Sequence, residues 1–204
     1  TRHQLRTPLA LMLLYIDLLT AATRDSRSQE WLKNLRHTTE EMHTSLNYLT
    51  EVDAAPDQRF GSYDLHQLFE QCNQAMQPWL QEKQLRLGYD GPSLELWGDR
   101  WEIKQVLQNL LSNAIAFSPI GGRITCEWQS FQTEVLIRIR DEGPGLSPED
   151  LRLWGTPFYS RRPGGTGLGL AIAKQIVLKH KGSLWAENLS ERGAQFCIVL
   201  PRTA

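Results

Sequence analysis

Apolar and polar residues near the beginning of the chain alternate with the period of an α-helix. The apolar positions recur at spacings of three and four: Leu5, Leu9, Met12, Leu13, Ile16 and Leu19. This stripe predicts an amphipathic helix over residues 4–22. After a polar break at residues 23–28, a second stripe that begins at Trp31 predicts another helix over residues 29–53. Two amphipathic helices joined by a short loop form an antiparallel hairpin.

This hairpin is too small to bury its apolar stripes by itself. A second copy of the chain is the simplest partner, and we expect a homodimer in which two hairpins form a four-helix bundle. Packing of the hairpin against the next domain of its own chain is the alternative. Proline and polar residues then predict a linker over residues 56–61, between a domain at 1–55 and a second domain at 62–204.

The second domain combines the two-residue period of strands with the period of helices. Strands are predicted over residues 60–65, 85–89, 94–97, 123–130, 133–139, 183–187 and 194–200. Helices are predicted over residues 66–83, 99–117 and 168–180. The strands at 85–89 and 94–97 flank an Asp-Gly-Pro turn, and those at 123–130 and 133–139 form a predicted hairpin. Because strands and helices do not alternate one for one, we expect an α+β sandwich with helices on one face of the sheet.

Composition narrows the classes of function. The net charge of the 204 residues is −1, so no electrostatic attraction to nucleic acid or to an anionic membrane is indicated. No apolar run approaches the roughly 20 residues that a membrane span needs, and we expect no membrane contact from this fragment. Three scattered cysteines without metal-type spacing favour a reduced, cytoplasmic chain.

A pair of asparagines marks the helix predicted over 99–117. Asn109 and Asn113 are four residues apart, so their amides share one face, and apolar residues flank them. Buried amides need partners, and Mg²⁺ with phosphate oxygens would supply them. Two asparagines satisfied within the core are the alternative.

A carboxylate followed by glycines comes directly after a predicted strand, in Asp141-Glu142-Gly143-Pro144-Gly145. Glycines at Gly143 and Gly145 allow the backbone to approach a ligand closely. The carboxylate of Asp141 could accept a hydrogen bond from the exocyclic amine of adenine, whereas guanine presents a carbonyl there. A plain turn is the alternative.

A glycine-rich segment over residues 164–170 leads into the last predicted helix. Free N–H groups at such a helix start bind anions. The spacing is not that of a dinucleotide fingerprint, because Leu170 stands where a glycine is required and no strand precedes the segment. Between the carboxylate and this segment, Arg161 and Arg162 could meet phosphate oxygens, with solvated loop charges as the alternative.

A single histidine, His3, opens the first predicted helix, and Pro8 is expected to bend that helix beside it. A neutral imidazole is a nucleophile for phosphoryl transfer once its other nitrogen is held by a hydrogen bond. A lone histidine at this place is more often an ordinary surface or core residue. The three downstream motifs, which together suit ATP, make the nucleophile the better interpretation.

In combination these motifs resemble the transmitter core of a bacterial sensor histidine kinase of a two-component system. The five matching segments are an H box at 2–9, an N box at 109–119, a first glycine box at 141–145, a phenylalanine box at 154–159 and a second glycine box at 165–170. The resemblance covers essentially the whole chain. It implies that the hairpin is joined to an ATP-binding domain of the gyrase, Hsp90 and MutL type, the Bergerat fold.

The resemblance also implies a reaction. ATP with Mg²⁺ phosphorylates His3, and the phosphoryl group then passes to an aspartate in the receiver domain of a response regulator. Gln4 occupies the orienting position beside the histidine. Thr7 stands where the family aligns water for dephosphorylating the regulator, which implies phosphatase activity as well. An ordinary helix threonine is the alternative.

The resemblance assigns the ATP site residue by residue. Asn113 is the implied Mg²⁺ ligand, Asn109 assists it, and Asp141 reads adenine. The predicted lid is the loop over residues 159–163. The resemblance implies that the pocket and the hinge of this lid are shaped by Gly143, Gly145, Gly165, Thr166, Gly167, Leu168 and Gly169.

The sequence departs from the family pattern in four ways. Gln4 replaces the usual acid, Ala116 replaces a lysine that contacts phosphate, the lid is short, and little precedes His3. We therefore expect an excised core, with the sensor domain and any membrane anchor of the full-length protein outside this fragment. Two other readings stay open: a different ATPase of the same nucleotide fold, and a degenerate kinase that acts as a dimeric scaffold or ATP sensor.

Overall fold

The computed structural model describes residues 3–23, 25, 28–29, 32, 35, 39, 60–162 and 165–203, with residues 3–11 and 13 described only by their place in a helix. Helix α1 spans His3–Ala22 and continues through Pro8. On this helix Ile16 is buried, while Tyr15 and Leu18 are exposed. The helix predicted over 29–53 lies mostly outside the described residues, and the few described positions between 28 and 39 are helical.

The mixed domain begins with a strand at Phe60–Asp64, called β1, so β1 starts inside the stretch predicted as a linker. The domain boundaries at 1–55, 56–61 and 62–204 stay a prediction. Helix α2 covers Leu65–Glu82, and the Asp64 carboxylate caps it by accepting a hydrogen bond from the Gln67 amide at 2.7 Å. Strand β2 covers Arg86–Asp90 and β3 covers Glu95–Asp99. Helix α3 covers Arg100–Phe117 and is capped in the same way by Asp99.

The remaining elements are β4 at Arg123–Ser130, β5 at Glu134–Arg140, α4 at Pro148–Leu153, α5 at Gly169–Lys179, β6 at Ser183–Asn188 and β7 at Ala194–Pro201. The short helix α4 has no counterpart in the sequence-based prediction, because its six residues hold too few apolar positions to show a period. Its start is nonetheless encoded: Ser147 and Asp150 form a capping box, with proline at the first helical position.

Two sheets form in the described residues. A five-stranded sheet has the order β2-β4-β5-β7-β6, in which β2 runs parallel to β4 and all other neighbours are antiparallel. The hairpin predicted from β4 and β5 is confirmed. The strands that flank the Asp-Gly-Pro turn do not pair with each other, because β2 joins β4 and β3 joins β1.

The core lies between the five-stranded sheet and helices α2, α3 and α5. Alternate residues of β5, including Ile137 and Ile139, point inward against buried side chains of α3 such as Leu107 and Leu111. The α+β sandwich with helices on one face is therefore confirmed, with a mixed sheet. Within the described parts of the chain, no helix combines the length and apolar character needed to cross a membrane.

Candidate nucleotide-binding site

A cleft opens between α3, the end of β5 and the glycine-rich segment before α5. It holds about 1080 Å³ of empty space when open solvent is included, which is room for a nucleotide-sized ligand. The predicted site residues that line it are Asn109, Asn113, Asp141, Gly145, Arg161, Arg162, Gly165, Thr166, Gly167 and Gly169. Gly143 and Leu168 do not line the cleft. His3, Gln4 and Thr7 lie in α1, and their side chains are outside the described part of the structure.

Asp141 lines the cleft and is 5% exposed. Its Oδ1 accepts hydrogen bonds from the amides of Gly143 at 2.8 Å and Ala194 at 3.2 Å. Its Oδ2 has no hydrogen-bond partner among the described residues. Burial raises the pKa of this carboxyl, and the two amide hydrogen bonds act in the opposite direction. One carboxylate oxygen is thus fixed by the fold while the other remains available to a ligand.

Glycine is required on both sides of this carboxylate. A side chain at Gly143 would lie 2.8 Å from Asp141 Oδ1 and 2.9 Å from the carbonyl of Phe117. At Gly193, which has a positive φ, a Cβ would collide with the Asp141 carbonyl oxygen at 1.9 Å. The backbone is therefore packed against Asp141 from two directions, and the carboxylate has little freedom to turn.

Two asparagines on α3 also line the cleft. Asn109 Nδ2 donates to the carbonyl of Gly169 at 2.9 Å, which leaves its amide oxygen free to accept. The side chain of Asn113 lines the cleft and makes no hydrogen bond within the described chain. These amide oxygens suit Mg²⁺, which takes oxygen ligands and keeps several waters and phosphate oxygens. No group of three or more His, Cys, Asp or Glu residues that could hold a metal occurs in the described residues, so an all-protein metal cage is not the arrangement found there.

The glycine-rich segment passes close to the phenylalanine-box residues. Gly167 has a φ of 69°, and a Cβ there would lie 2.5 Å from the carbonyl carbon of Phe158. Helix α5 then begins at Gly169 without a side-chain cap. Its first backbone N–H groups therefore have no side-chain acceptor of their own and can bind an anion at this end of the cleft.

The two lid arginines have different partners. Arg161 Nε lies 2.8 Å from Asp150 Oδ1, and the hydroxyl of Tyr159 donates to the same oxygen at 2.7 Å. Arg162 Nη1 donates to Ser112 Oγ on α3 at 3.2 Å. In this structure Arg161 is therefore held by a carboxylate, whereas Arg162 already points toward the asparagine face.

Sequence reasoning gave no role in the site to several groups that support the cleft, although Trp154 stands in the predicted phenylalanine box. Trp154 and Phe196 meet edge to face at 5.7 Å between ring centroids and form an apolar wall. Asp150 anchors both Tyr159 and Arg161, and its only sequence signal is the Ser-Pro-Glu-Asp capping pattern. Asn188, on β6, holds the loop that follows Asp141. Its partner is 42 residues away, and no sequence pattern links the two.

Lys83 lies beside Ala116, the position at which the resemblance leads us to expect a lysine. The ammonium of Lys83 donates to the carbonyls of Ile115, Ala116 and Ser118 at 2.7 to 3.1 Å. Burial, followed by repulsion from Arg162, lowers the pKa of this ammonium. A cation thus lies beside Ala116, but it caps the end of α3 and does not line the cleft.

Comparison with known proteins agrees with this geometry. Residues 98–204 match the family described as histidine kinase-, DNA gyrase B-, and HSP90-like ATPase. The sensor histidine kinase WalK of Bacillus subtilis is 30% identical over 98% of this chain, which spans 35% of WalK. The catalytic domain of the histidine kinase ThkA superposes with a TM-score of 0.66 and 29% identity, covering 71% of this chain and 96% of that domain.

A longer solved structure shares the fold over nearly the whole chain. ThkA in complex with the response regulator protein TrrA gives a TM-score of 0.71 at 23% identity, covering 98% of this chain and 59% of that one. The chain belongs to the histidine kinase-, DNA gyrase B-, and HSP90-like ATPase family. Its resemblance to the sensor histidine kinases within that family is confirmed.

Proposed function

We propose that the cleft binds ATP with its adenine against Asp141, in the core of a sensor histidine kinase. The observation that supports this proposal is the buried carboxylate of Asp141. One of its oxygens is fixed by two backbone amides, and the other has no partner in the described residues. Such an oxygen accepts the amine of adenine and refuses the carbonyl of guanine. The apolar wall of Trp154 and Phe196 suits a flat aromatic base.

The opposite end of the cleft suits the triphosphate. Asn113 would hold Mg²⁺, with Asn109 assisting, and the ion neutralises phosphate charge when it is bound. The N–H groups at the start of α5 and the guanidinium of Arg162 would face phosphate oxygens. Arg161 would have to leave Asp150 to do the same.

His3 is the proposed acceptor. The imidazole nitrogen attacks the γ-phosphorus, the bond to the bridging oxygen breaks, and ADP leaves. The phosphoryl group then moves from His3 to an aspartate of a response regulator, a proposal supported by the solved complex of ThkA with TrrA. Thr7 would align water when the regulator is dephosphorylated.

The N-terminal hairpin is proposed as the dimerisation element. Apolar side chains of α1 such as Tyr15 and Leu18 are exposed in the single chain, which favours burial against another surface. A homodimer through a four-helix bundle would cover them. The proposed setting is the cytoplasm.

Incubation with γ-labelled ATP and Mg²⁺ tests the proposal. Acid-labile, base-stable label on the protein, absent from His3→Ala, is expected. Release of free phosphate without labelled protein would indicate an ATPase of the same fold. Tight ATP binding with neither product would indicate a scaffold or ATP sensor, which the departures at Gln4 and Ala116 would then explain.

A further inference from the structure

The loop that carries Asp141, Gly143 and Gly145 has no regular secondary structure of its own. It includes two glycines, and Gly145 has a φ of 79°. A glycine-containing loop of this kind samples many conformations unless other parts of the chain hold it. Yet the loop contributes Asp141, Pro144, Gly145 and Leu146 to the cleft, so its shape sets the shape of the base pocket.

The chain between β6 and β7 holds this loop at three points. Gly193 packs against the backbone of Asp141, and the guanidinium of Arg192 donates to the carbonyl of Glu142 through Nε at 3.0 Å. The third point is Asn188, the last residue of β6. We call residues 188–193 the β6–β7 clamp.

Asn188 makes a two-bond contact with a single loop residue. Its Oδ1 accepts from the Leu146 amide at 2.6 Å, and its Nδ2 donates to the Leu146 carbonyl at 2.8 Å. One side-chain amide therefore satisfies both backbone groups of Leu146, as a neighbouring strand would. The approach is so close that a Cβ on Gly145 would lie 2.9 Å from Asn188 Oδ1.

The contact joins two ends of the site. Leu146 lies between Gly145, which lines the cleft, and Ser147, which caps α4. On β7, the register partner of Asn188 is Ala194, whose amide donates to Asp141 Oδ1. Asn188 thus fixes the loop relative to the same strand pair that fixes the Asp141 carboxylate.

We infer that Asn188 is a positioning residue for nucleotide recognition: its amide holds the Asp141–Leu146 loop in the shape that admits the base. The inference rests on the proposed function, since it concerns the same cleft. Asn188 itself does not line the cleft, so it acts through Leu146. Loss of its two hydrogen bonds should weaken nucleotide binding while leaving the phosphate end of the site intact.

Two substitutions at Asn188 separate the effect of losing the hydrogen bonds from the effect of changing the side-chain volume. Asn188→Ala removes both bonds. Asn188→Asp keeps the volume and the acceptor for the Leu146 amide, but it places a second oxygen against the Leu146 carbonyl. Asn188 is exposed, so neither change disturbs the core. The matched control is Asn73→Ala on α2, which removes only a bond with Gln77 at 2.8 Å.

Dissociation constants for ATP and ADP, measured by calorimetry, are the primary readout. Both Asn188 variants should bind ATP and ADP roughly five- to hundredfold more weakly than the parent, by the usual worth of two neutral hydrogen bonds. An equal factor for the two nucleotides is expected because the base is common to both. The labelling rate at saturating ATP should match that of the parent and of Asn73→Ala. The melting temperature without nucleotide should fall by only a small amount, because the two lost hydrogen bonds belong to an exposed residue.

Parent-like affinity in both variants would overturn the inference, as would a lower labelling rate with unchanged affinity. If the parent binds ATP and only the Asn188 prediction fails, the proposed function stands. If the parent itself binds neither nucleotide, the proposed function fails, and the inference fails with it.

Discussion

The side-chain amide of Asn109 donates a hydrogen bond to the carbonyl of Gly169 at 2.9 Å, joining α3 to the first residue of α5 across 60 positions of sequence. The neighbouring Asn113 makes no such bond within the described chain. Two residues of the same type, one helical turn apart, therefore have different structural roles. The first connects two helices, and the second faces only the cleft.

This difference predicts that Asn109 contributes to both folding stability and ATP binding, whereas Asn113 contributes mainly to ATP binding. Asn109→Ala should lower the free energy of unfolding by about 1 kcal/mol and also weaken ATP binding. Asn113→Ala should weaken Mg²⁺-dependent ATP binding with little change in stability. Chemical denaturation without nucleotide, followed by titration with ATP in the presence and absence of Mg²⁺, measures both effects. Equal stability losses in the two variants would contradict the assignment.

Asp141→Asn should reduce ATP affinity roughly ten- to hundredfold, because a charge-assisted acceptor is lost and an amide can present a donor to the adenine amine. The nucleotide-free protein should not lose stability. Since burial raises the pKa of Asp141 in the folded protein, its ionised form opposes folding at neutral pH, and a neutral amide removes that cost. Calorimetry and thermal unfolding at neutral pH test the two parts separately.

The same raised pKa predicts how binding depends on pH. As the pH falls, Asp141 should take up a proton earlier than an ordinary aspartate, and ATP affinity should fall with it. The stability of the nucleotide-free fold attributable to this group changes in the opposite sense: it is present below the unfolded-state pKa and is lost as the pH rises through the folded-state value. A pH series of dissociation constants, compared with Asp141→Asn as the variant that cannot titrate, measures the effect. An identical pH dependence in both proteins would refute it.

His3→Ala should abolish phosphorylation of the protein and leave ATP binding unchanged, because His3 belongs to α1, whereas the described residues that line the cleft belong to the mixed domain. Labelling with γ-labelled ATP and calorimetry are the measurements. If acid-labile label persists in the variant, the acceptor lies elsewhere, and His37 and His43 are the next residues to replace.

Gln4→Glu should speed phosphohistidine formation by about tenfold, which corresponds to about 1.4 kcal/mol. As the imidazole attacks, its second nitrogen becomes more acidic, and a carboxylate accepts that hydrogen bond more strongly than an amide. The gain should appear in kcat more than in KM, because it arises mainly in the transition state. Single-turnover labelling measures the rate, and a rate no faster than the parent's would show that residue 4 does not act as an acceptor for this nitrogen.

Much of the mixed domain could be predicted from periodicity alone. The strand at Arg123–Ser130 and the helix at Arg100–Phe117 have strong apolar patterns, and both lie within a residue of their predicted bounds. Strand pairing was less predictable. The turn after Asp90 suggests that β2 and β3 are neighbours, yet each joins a different sheet, since pairing depends on contacts far apart in sequence.

The cleft likewise has parts that could be predicted from the sequence and parts that could not. The residues that would touch a ligand stand in short motifs such as Asp141 to Gly145, and their grouping could be predicted from spacing and family resemblance. The residues that hold those motifs could not. Asn188 meets Leu146, and Arg162 meets Ser112, through contacts 42 and 50 positions apart, and a single sequence carries no signal for either pair.

The contacts that hold Asp141 also set the order in which this site can form while the chain is being synthesised. Asp141 is synthesised 53 residues before Ala194, whose amide holds its carboxylate, and β7 lies inside the sheet between β5 and β6. A nascent chain that ends before β7 therefore has every glycine motif but neither the strand that fixes the carboxylate nor the neighbour that closes the sheet. Such a chain cannot form the base pocket, so the pocket can be completed only after β7 has been synthesised.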